Sequence, residues 1–244
     1  MDLQNKLYKL YCIVRMLFWW LAAFFIIIFY GLIILRIIAF FSKDPQKVFY
    51  LGKQQWARIM IWLAGVKLSL EGLPNIEREQ AYIFAANHAS IFDIVLLMAA
   101  VPIYFAFVMD EKLFRVPFGG RYAALSGDLP ISRRDPQKAG QYLVAILNKI
   151  KDNKSVLFFP EGTRSRDGSL GEFKKGIGML ALQSNVPVIP VALAGSFNII
   201  PRGSLVIHPR FVKIKFGQPM KFDPQESEGE IAVKIHDQVA SLLG

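Results

Sequence analysis

A run of 20 uncharged residues near the amino terminus, residues 16–35, constrains the fold of this chain more than any other feature. Arg15 and Arg36 bracket it, and Trp19 and Tyr30 lie toward its ends, where aromatic rings favour the membrane interface. As a helix rising about 1.5 Å per residue, the run has the length to span a hydrocarbon core or to dip into one leaflet. A cleaved signal peptide is the alternative, but the run is longer than a typical signal core and no small-residue cleavage site follows. The sequence therefore predicts an N-terminal membrane helix.

The next segment, residues 46–66, mixes basic and apolar side chains, among them Lys47 and Lys53. This composition is typical of a helix in the headgroup region of a membrane, and a helix packed on a protein core is the alternative. We therefore predict membrane-anchoring helices in residues 1–66 and an α/β domain in residues 67–244. Basic residues flank both ends of the first helix, so its orientation stays open.

The overall charge suggests which partners the chain meets. Its 29 Lys and Arg residues exceed its 19 Asp and Glu residues, giving +10, and 53% of the chain is hydrophobic. A basic, apolar chain favours membrane lipids with anionic headgroups as partners and disfavours nucleic acid, since the aromatic residues concentrate in the apolar N-terminus. One cysteine, Cys12, and three separated histidines give no zinc-ligand cluster, so no metal is expected.

Beyond residue 67, apolar runs alternate with helical patterns. Strands are predicted at residues 82–86, 104–108, 156–159, 188–193 and 212–216, and helices at residues 94–101, 112–125, 136–151, 174–183 and 228–243. Such alternation is typical of an α/β domain whose mainly parallel sheet is flanked by helices. Ligands of such sheets bind beyond the carboxyl ends of the strands.

The sequence HASIFD at residues 88–93 follows one predicted strand end. Ser90, three residues before Asp93, is predicted to be the N-cap of the next helix. His88 then lies just outside the helix and can fold back toward the Asp93 carboxylate. That carboxylate would fix the tautomer of the ring and stabilise its protonated form, as in a general base that activates a hydroxyl. A plain first-turn acid beside a polar loop residue is the alternative.

The sequence FPEGTRS at residues 159–165 follows another predicted strand end. A glycine turn at Gly162 lets backbone N–H groups approach an oxyanion, Arg164 offers a planar fork for phosphate, and Lys174 adds positive charge. N–H groups near Gly162 or Ser90 are also candidate donors to a reaction oxyanion. A solvated basic loop is the alternative.

Four stretches in this order resemble the glycerolipid acyltransferases of the 1-acylglycerol-3-phosphate O-acyltransferase type. They are NHASIFD at 87–93, GDLPISR at 127–133, FPEGTRS at 159–165 and VPVIPV at 186–191. The resemblance implies that His88 is the general base and Asp93 its orienting partner. It implies transfer of an acyl group from acyl-CoA or acyl carrier protein to lysophosphatidic acid, giving phosphatidic acid for phospholipid synthesis. No further cofactor is implied, and the active site is expected on the cytoplasmic face of a membrane.

The same resemblance assigns the remaining site residues. It implies that the acceptor and its phosphate are bound by Arg133, Glu161, Gly162, Thr163 and Arg164, and that the acyl side includes Val186, Pro187 and Pro190.

One position departs from the family pattern. Relatives often read KKEL where this chain reads DEKL at residues 110–113, so the phosphate-facing lysine falls on Asp110. Either Lys112 replaces it, or Arg133 and Arg164 suffice, or the acceptor is another lysolipid or glycerol 3-phosphate.

Two rival functions stay open. A lipid ester hydrolase is disfavoured because no G-x-S-x-G sequence occurs. A non-catalytic membrane-binding module would explain the charge and the anchor, but not the histidine and carboxylate at a strand end.

Overall fold

A seven-stranded sheet lies at the centre of the computed structural model, which describes residues 2–132, 136–201, 204 and 206–244. The strands are β1 (Lys67–Glu71), β2 (Ile83–Ala86), β3 (Phe105–Asp110), β4 (Leu129–Ile131), β5 (Ser155–Phe158), β6 (Val188–Ala194) and β7 (Phe211–Phe216). Their order across the sheet is β1-β7-β6-β2-β5-β3-β4. Only the β6–β7 pair among these strands is antiparallel. The mainly parallel sheet predicted from the sequence is confirmed, and the predicted division after residue 66 coincides with the start of β1.

Helices cover both faces of the sheet. They are α1 (Asp2–Phe25), α2 (Leu35–Phe40), α3 (Pro45–Ala64), α4 (Asp93–Ala100), α5 (Gly119–Leu125), α6 (Pro136–Lys151), α7 (Gly176–Ser184) and α8 (Glu228–Leu243), with a π-helical stretch, Ile26–Ile34, between α1 and α2. Because side chains alternate along a strand, Phe84 of β2 packs in the core shared with α3 and α4. Its neighbour Ile83 packs in the core shared with α6, α7 and α8.

The predicted helix over residues 112–125 is wrong. A 3₁₀ turn, Glu111–Arg115, and the short α5 replace it. Pro117 lacks a backbone N–H, and Phe118 has a φ of 61°, so the chain cannot continue as an α-helix between them. Strands β1 and β4 were not predicted from the sequence. Strand β4 has only three residues and contains Pro130, which is unusual inside a strand.

The N-terminal segment Lys6–Phe40 is long and apolar enough to cross a membrane, by length and composition alone. Large apolar side chains along it are exposed, which is typical of a helix that meets lipid. One side, however, packs on α3: Arg15 donates to the Ala64 carbonyl, and Trp19 Nε1 donates to the Met60 carbonyl at 2.9 Å. Trp19 is therefore buried against the protein and does not face lipid, and its place at the depth of the membrane interface stays a prediction.

Helix α3 packs on the α/β domain along one face, as the core-helix alternative anticipated. Lys53, expected at a membrane surface, is buried, and its Nζ lies 2.8 Å from Asp128 Oδ1. The same carboxylate oxygen accepts the Phe107 N–H of β3 at 2.9 Å. The ion pair thus ties α3 to the sheet, which explains why a lysine is tolerated in the interior.

This ion pair gives a testable prediction about stability. We expect Asp128→Ala to lower the free energy of unfolding by about 3–5 kcal/mol, because the Lys53 ammonium stays buried without its carboxylate. Adding Lys53→Met should recover much of that loss, since the unpaired charge is then removed. Chemical denaturation of both variants in detergent measures the effect.

The exposed pair between Lys213 and Glu71, 3.1 Å apart, is the control. Glu71→Ala should change the free energy of unfolding by less than about 1 kcal/mol. A loss at Asp128 no larger than this one would contradict a structural role for the buried pair.

Candidate active site

Two loops form the candidate site, one after β2 and one after β5. Because β2 and β5 are parallel neighbours, with Ala85 beside Phe158, both loops leave the same edge of the sheet. The first loop is anchored at its start by Asn87, whose side chain bonds both backbone groups of Leu193. Leu193 N donates to Asn87 Oδ1 at 2.7 Å, and Asn87 Nδ2 donates to the Leu193 carbonyl at 3.1 Å. The end of β2 is therefore fixed against β6.

His88 and Asp93 form the predicted pair. His88 Nδ1 lies 2.9 Å from Asp93 Oδ2, and the Asp93 side chain is fully buried. Since a carboxylate only accepts, Nδ1 carries the proton, and in the neutral ring Nε2 carries the lone pair. The His88 side chain is 12% exposed, so the ring is reachable from one side.

Helix α4 begins at Asp93, three residues after the predicted N-cap Ser90, but the predicted capping contacts are present. Ser90 Oγ accepts the Phe92 N–H at 3.3 Å. The Asp93 carboxylate reaches backward, and its Oδ2 accepts the N–H groups of Ala89 at 2.8 Å and Ser90 at 2.7 Å. The carboxylate gains these bonds together with the favourable field of the helix start.

The second loop holds the main chain of His88 on both sides. Glu161 Oε1 accepts the His88 N–H at 2.7 Å, and Ser165 N–H donates to the His88 carbonyl at 2.8 Å. The imidazole also stacks on the Phe159 ring, with centroids 4.0 Å apart and planes 17° apart. Three consecutive N–H groups, at residues 88–90, therefore bond carboxylates rather than a strand or a helix.

Two of the N–H groups that the sequence offers to a reaction oxyanion are already occupied. The Ser90 N–H is used by Asp93, and the Gly162 N–H donates to the Phe159 carbonyl at 3.0 Å. The expectation that N–H groups near Gly162 or Ser90 stabilise an oxyanion therefore stays a prediction for their neighbours.

Glu161 is buried and makes two backbone contacts. Its Oε2 accepts the Gly171 N–H at 3.1 Å, in addition to the His88 bond at Oε1. Burial raises the pKa of the Glu161 carboxyl above its ordinary value, and the N–H groups of His88 and Gly171 partly offset that rise.

A cavity of about 250 Å³ adjoins the ring of His88. Its wall is mostly apolar, and it includes Gly162, Lys174 and Asp110. Gly162 has a φ of 72°, and an added Cβ there would lie 2.9 Å from Lys174 Nζ, so the lysine side chain lies directly over the glycine. The cavity thus combines a basic ring nitrogen, a cation and a surface suited to apolar chains.

Other predicted binding residues do not line this cavity. Thr163 is exposed, Arg164 is half-buried, and Lys112 is exposed in the 3₁₀ turn. Glu161 is buried behind His88, and Arg133 lies outside the described residues. Within the part of the chain that the structure describes, no three His, Cys, Asp or Glu side chains form a group that could hold a metal.

The residues predicted on the acyl side lie elsewhere. Pro187 and Pro190 are buried in or beside the amino-terminal half of β6, whereas the cavity opens at the carboxyl ends of the strands. Pro190 lies inside β6, which continues to Ala194. Its carbonyl accepts the Gly217 N–H at 2.9 Å, and Gly217 leaves room for the proline ring. Val186 contacts a separate surface depression.

Sequence reasoning missed the contacts that position His88. Phe159 was read as the end of a strand, but it carries the stacking ring. Asn87 directly follows the predicted strand at residues 82–86, and a polar residue there, just before the histidine, was a signal of an anchoring side chain. Gly171, the second donor to Glu161, lies in a loop without a recognisable pattern.

Comparison with known proteins identifies the family. Residues 67–194 match the acyltransferase family model. A chloroplastic 1-acyl-sn-glycerol-3-phosphate acyltransferase of Arabidopsis thaliana is 35% identical over 71% of this chain and 50% of its own length. The Pseudomonas aeruginosa enzyme of the same name is 32% identical over 77% of this chain and 72% of its own length. The chain spans about half the length of the plant relatives it matches.

A solved acyltransferase structure matches nearly the whole of this chain. The 1-acyl-sn-glycerophosphate (LPA) acyltransferase PlsC from Thermotoga maritima is 26% identical, with a TM-score of 0.85, and the match covers 96% of this chain and 97% of that one. The family match includes both loops that carry the His88 site. The chain therefore belongs to the 1-acyl-sn-glycerol-3-phosphate acyltransferase family of acyltransferases.

Proposed function

We propose that this chain transfers an acyl group from a thioester to the free hydroxyl of 1-acylglycerol 3-phosphate, forming phosphatidic acid. The observation that carries the proposal is the His88–Asp93 pair, 2.9 Å apart, beside a cavity that has an apolar wall and one lysine. The names of the relatives support lysophosphatidic acid as the acceptor. The donor is acyl-CoA or acyl carrier protein, and no resident cofactor takes part in the steps below.

The proposed reaction begins at Nε2 of His88. This nitrogen takes the proton of the acceptor hydroxyl while the hydroxyl oxygen attacks the thioester carbonyl. Asp93 stabilises the imidazolium through Nδ1–H. The tetrahedral intermediate then collapses, the C–S bond breaks, and the leaving sulfur takes the proton back from His88. One ester and one thiol result, and the enzyme returns to its starting state.

Lys174 is the proposed partner of the acceptor phosphate. Its side chain lies over Gly162 in the wall of the cavity that contains His88. Asp110 lines the same cavity, and a carboxylate there disfavours a dianionic phosphate. This observation favours a second candidate, an acyltransferase that acts on another lysolipid, one without a phosphomonoester.

The apolar N-terminal segment supports a place for the reaction at a membrane. Lys6–Phe40 presents exposed apolar side chains, and membrane lipids would cover them. Both the acceptor and the product are membrane lipids. We place the active site on the cytoplasmic face, where soluble acyl thioesters are available.

The histidine should be essential for transfer. Replacing His88 with Ala should lower kcat by about 10²–10⁴-fold or more, because the hydroxyl loses its base, while membrane binding persists. Formation of labelled diacyl lipid by the purified enzyme measures the effect. His236→Ala is a matched control, because His236 forms an exposed pair with Asp237 at 3.0 Å on α8. Substantial transfer by the His88 variant would refute the assignment.

Lysine 174 should act on acceptor binding. Lys174→Ala should raise the KM for lysophosphatidic acid about tenfold to a hundredfold, since a charge-assisted phosphate contact contributes roughly 1.5–3 kcal/mol. The KM of the thioester should change little. Lys175→Ala is the control, because this neighbouring lysine is exposed and does not line the cavity. Equal effects of the two variants would argue against a direct contact.

A substrate panel separates the remaining alternatives. We expect a preference for lysophosphatidic acid over glycerol 3-phosphate and over other lysolipids, measured with both acyl-CoA and acyl carrier protein. Preference for an acceptor without a phosphomonoester would support the second candidate and a specificity role for Asp110. Release of free fatty acid without new diacyl lipid would indicate a hydrolase, and no change in any lipid would indicate a non-catalytic module.

A further inference from the structure

Glu161 differs from Lys174 in where its side chain lies. It is 7% exposed and does not line the cavity beside His88. Its two oxygens accept backbone N–H groups, from His88 at 2.7 Å and from Gly171 at 3.1 Å. A Cβ added to Gly171 would lie 2.8 Å from Oε2, so that segment of backbone closes over the carboxylate. Backbone from two segments therefore occupies both oxygens of the carboxylate.

The hydrogen bond from the His88 N–H to Glu161 helps to fix the position of the imidazole. The ring has only two side-chain torsions, so the location of Nε2 depends mainly on the main chain of residue 88. That main chain lies between a strand end and a helix start, without a regular ladder of hydrogen bonds. Glu161 holds its N–H, and Ser165 holds its carbonyl at 2.8 Å.

We propose that Glu161 is a positioning residue that holds the main chain of His88 at the cavity wall, and is not a ligand of the acceptor. The inference rests on the proposed function for its kinetic consequence. It assigns the chain between β5 and α7 two separate tasks. Glu161 orients the base from behind, while Gly162 and Lys174 face the cavity in front.

Kinetics of Glu161→Ala and Glu161→Gln test the proposal. Glu161→Ala should lower kcat by about a hundredfold, the effect of moving a reacting group by about 1 Å, with the KM of lysophosphatidic acid nearly unchanged. Glu161→Gln should lie between this variant and the wild type. Its carbonyl oxygen can still accept the His88 N–H, whereas its amide group cannot accept the Gly171 N–H.

Hydrogen exchange gives a readout that does not depend on the reaction. In the wild type the His88 amide should exchange slowly, and Glu161→Ala should speed exchange in residues 87–92 at least about tenfold, because its acceptor is gone. If the wild type transfers no acyl group, the proposed function fails, and exchange in this segment still decides the role of Glu161.

Glu230→Gln is the matched control. The Glu230 carboxylate also accepts a backbone N–H, from Ser227 at 3.0 Å, but does so at the start of α8. Glu230→Gln should leave kcat and the hydrogen exchange of residues 87–92 unchanged. Thermal unfolding of each variant shows whether the protein is folded. If Glu161→Ala is not folded, the kinetics and exchange of Glu161→Gln test the proposal instead.

Three results would overturn the proposal. The first is an increase in the KM of lysophosphatidic acid with wild-type kcat, which would indicate acceptor binding by Glu161. The second is unchanged exchange in residues 87–92 of a folded Glu161 variant. The third is a loss of kcat in Glu161→Gln as large as in Glu161→Ala. The glutamine oxygen can still accept the His88 N–H, so an equal loss would show that this hydrogen bond does not position His88.

Discussion

The parallel pairing of β2 with β5 is the constraint on which the site depends. Ile83 lies beside Val156 and Ala85 beside Phe158, so the two strands end together. The chain after β2 contributes the histidine and its carboxylate partner, and the chain after β5 contributes the groups that hold them. A shift of one residue in this register would turn the side chains of one strand to the opposite core and separate the loops.

The N-terminal helices are connected physically to this arrangement. Arg15 and Trp19 bond the last turns of α3, and the Trp19 ring also packs 5.8 Å from that of Phe92, one residue before Asp93. Helix α3 in turn is fixed to the sheet through Lys53. The apolar segment therefore has a defined orientation relative to the site.

The sequence was sufficient to predict elements with a repeating apolar pattern and contacts between residues close together in the chain. Apolar periodicity predicted five strands and the limits of α6 and α8, and five-residue spacing predicted the contact of His88 with Asp93. Burial of charged side chains could not be predicted, because it depends on partners distant in sequence. Lys53 meets a carboxylate 75 residues away, and Glu161 meets a backbone group 73 residues away. From the neighbouring sequence alone, each of these residues looks like a charged side chain exposed to solvent.

Two carboxylates hold the N–H groups of residues 88–90, and this has a consequence for inhibitors. The loop is ordered before any ligand arrives, so a compound that places an acceptor or an electrophile against the imidazole would lose little affinity to loop ordering. Its affinity would depend on how well a rigid molecule fits the cavity. Rigid analogues of the tetrahedral intermediate are therefore better starting points than flexible lipid mimics, whose chains must lose many rotamers on binding.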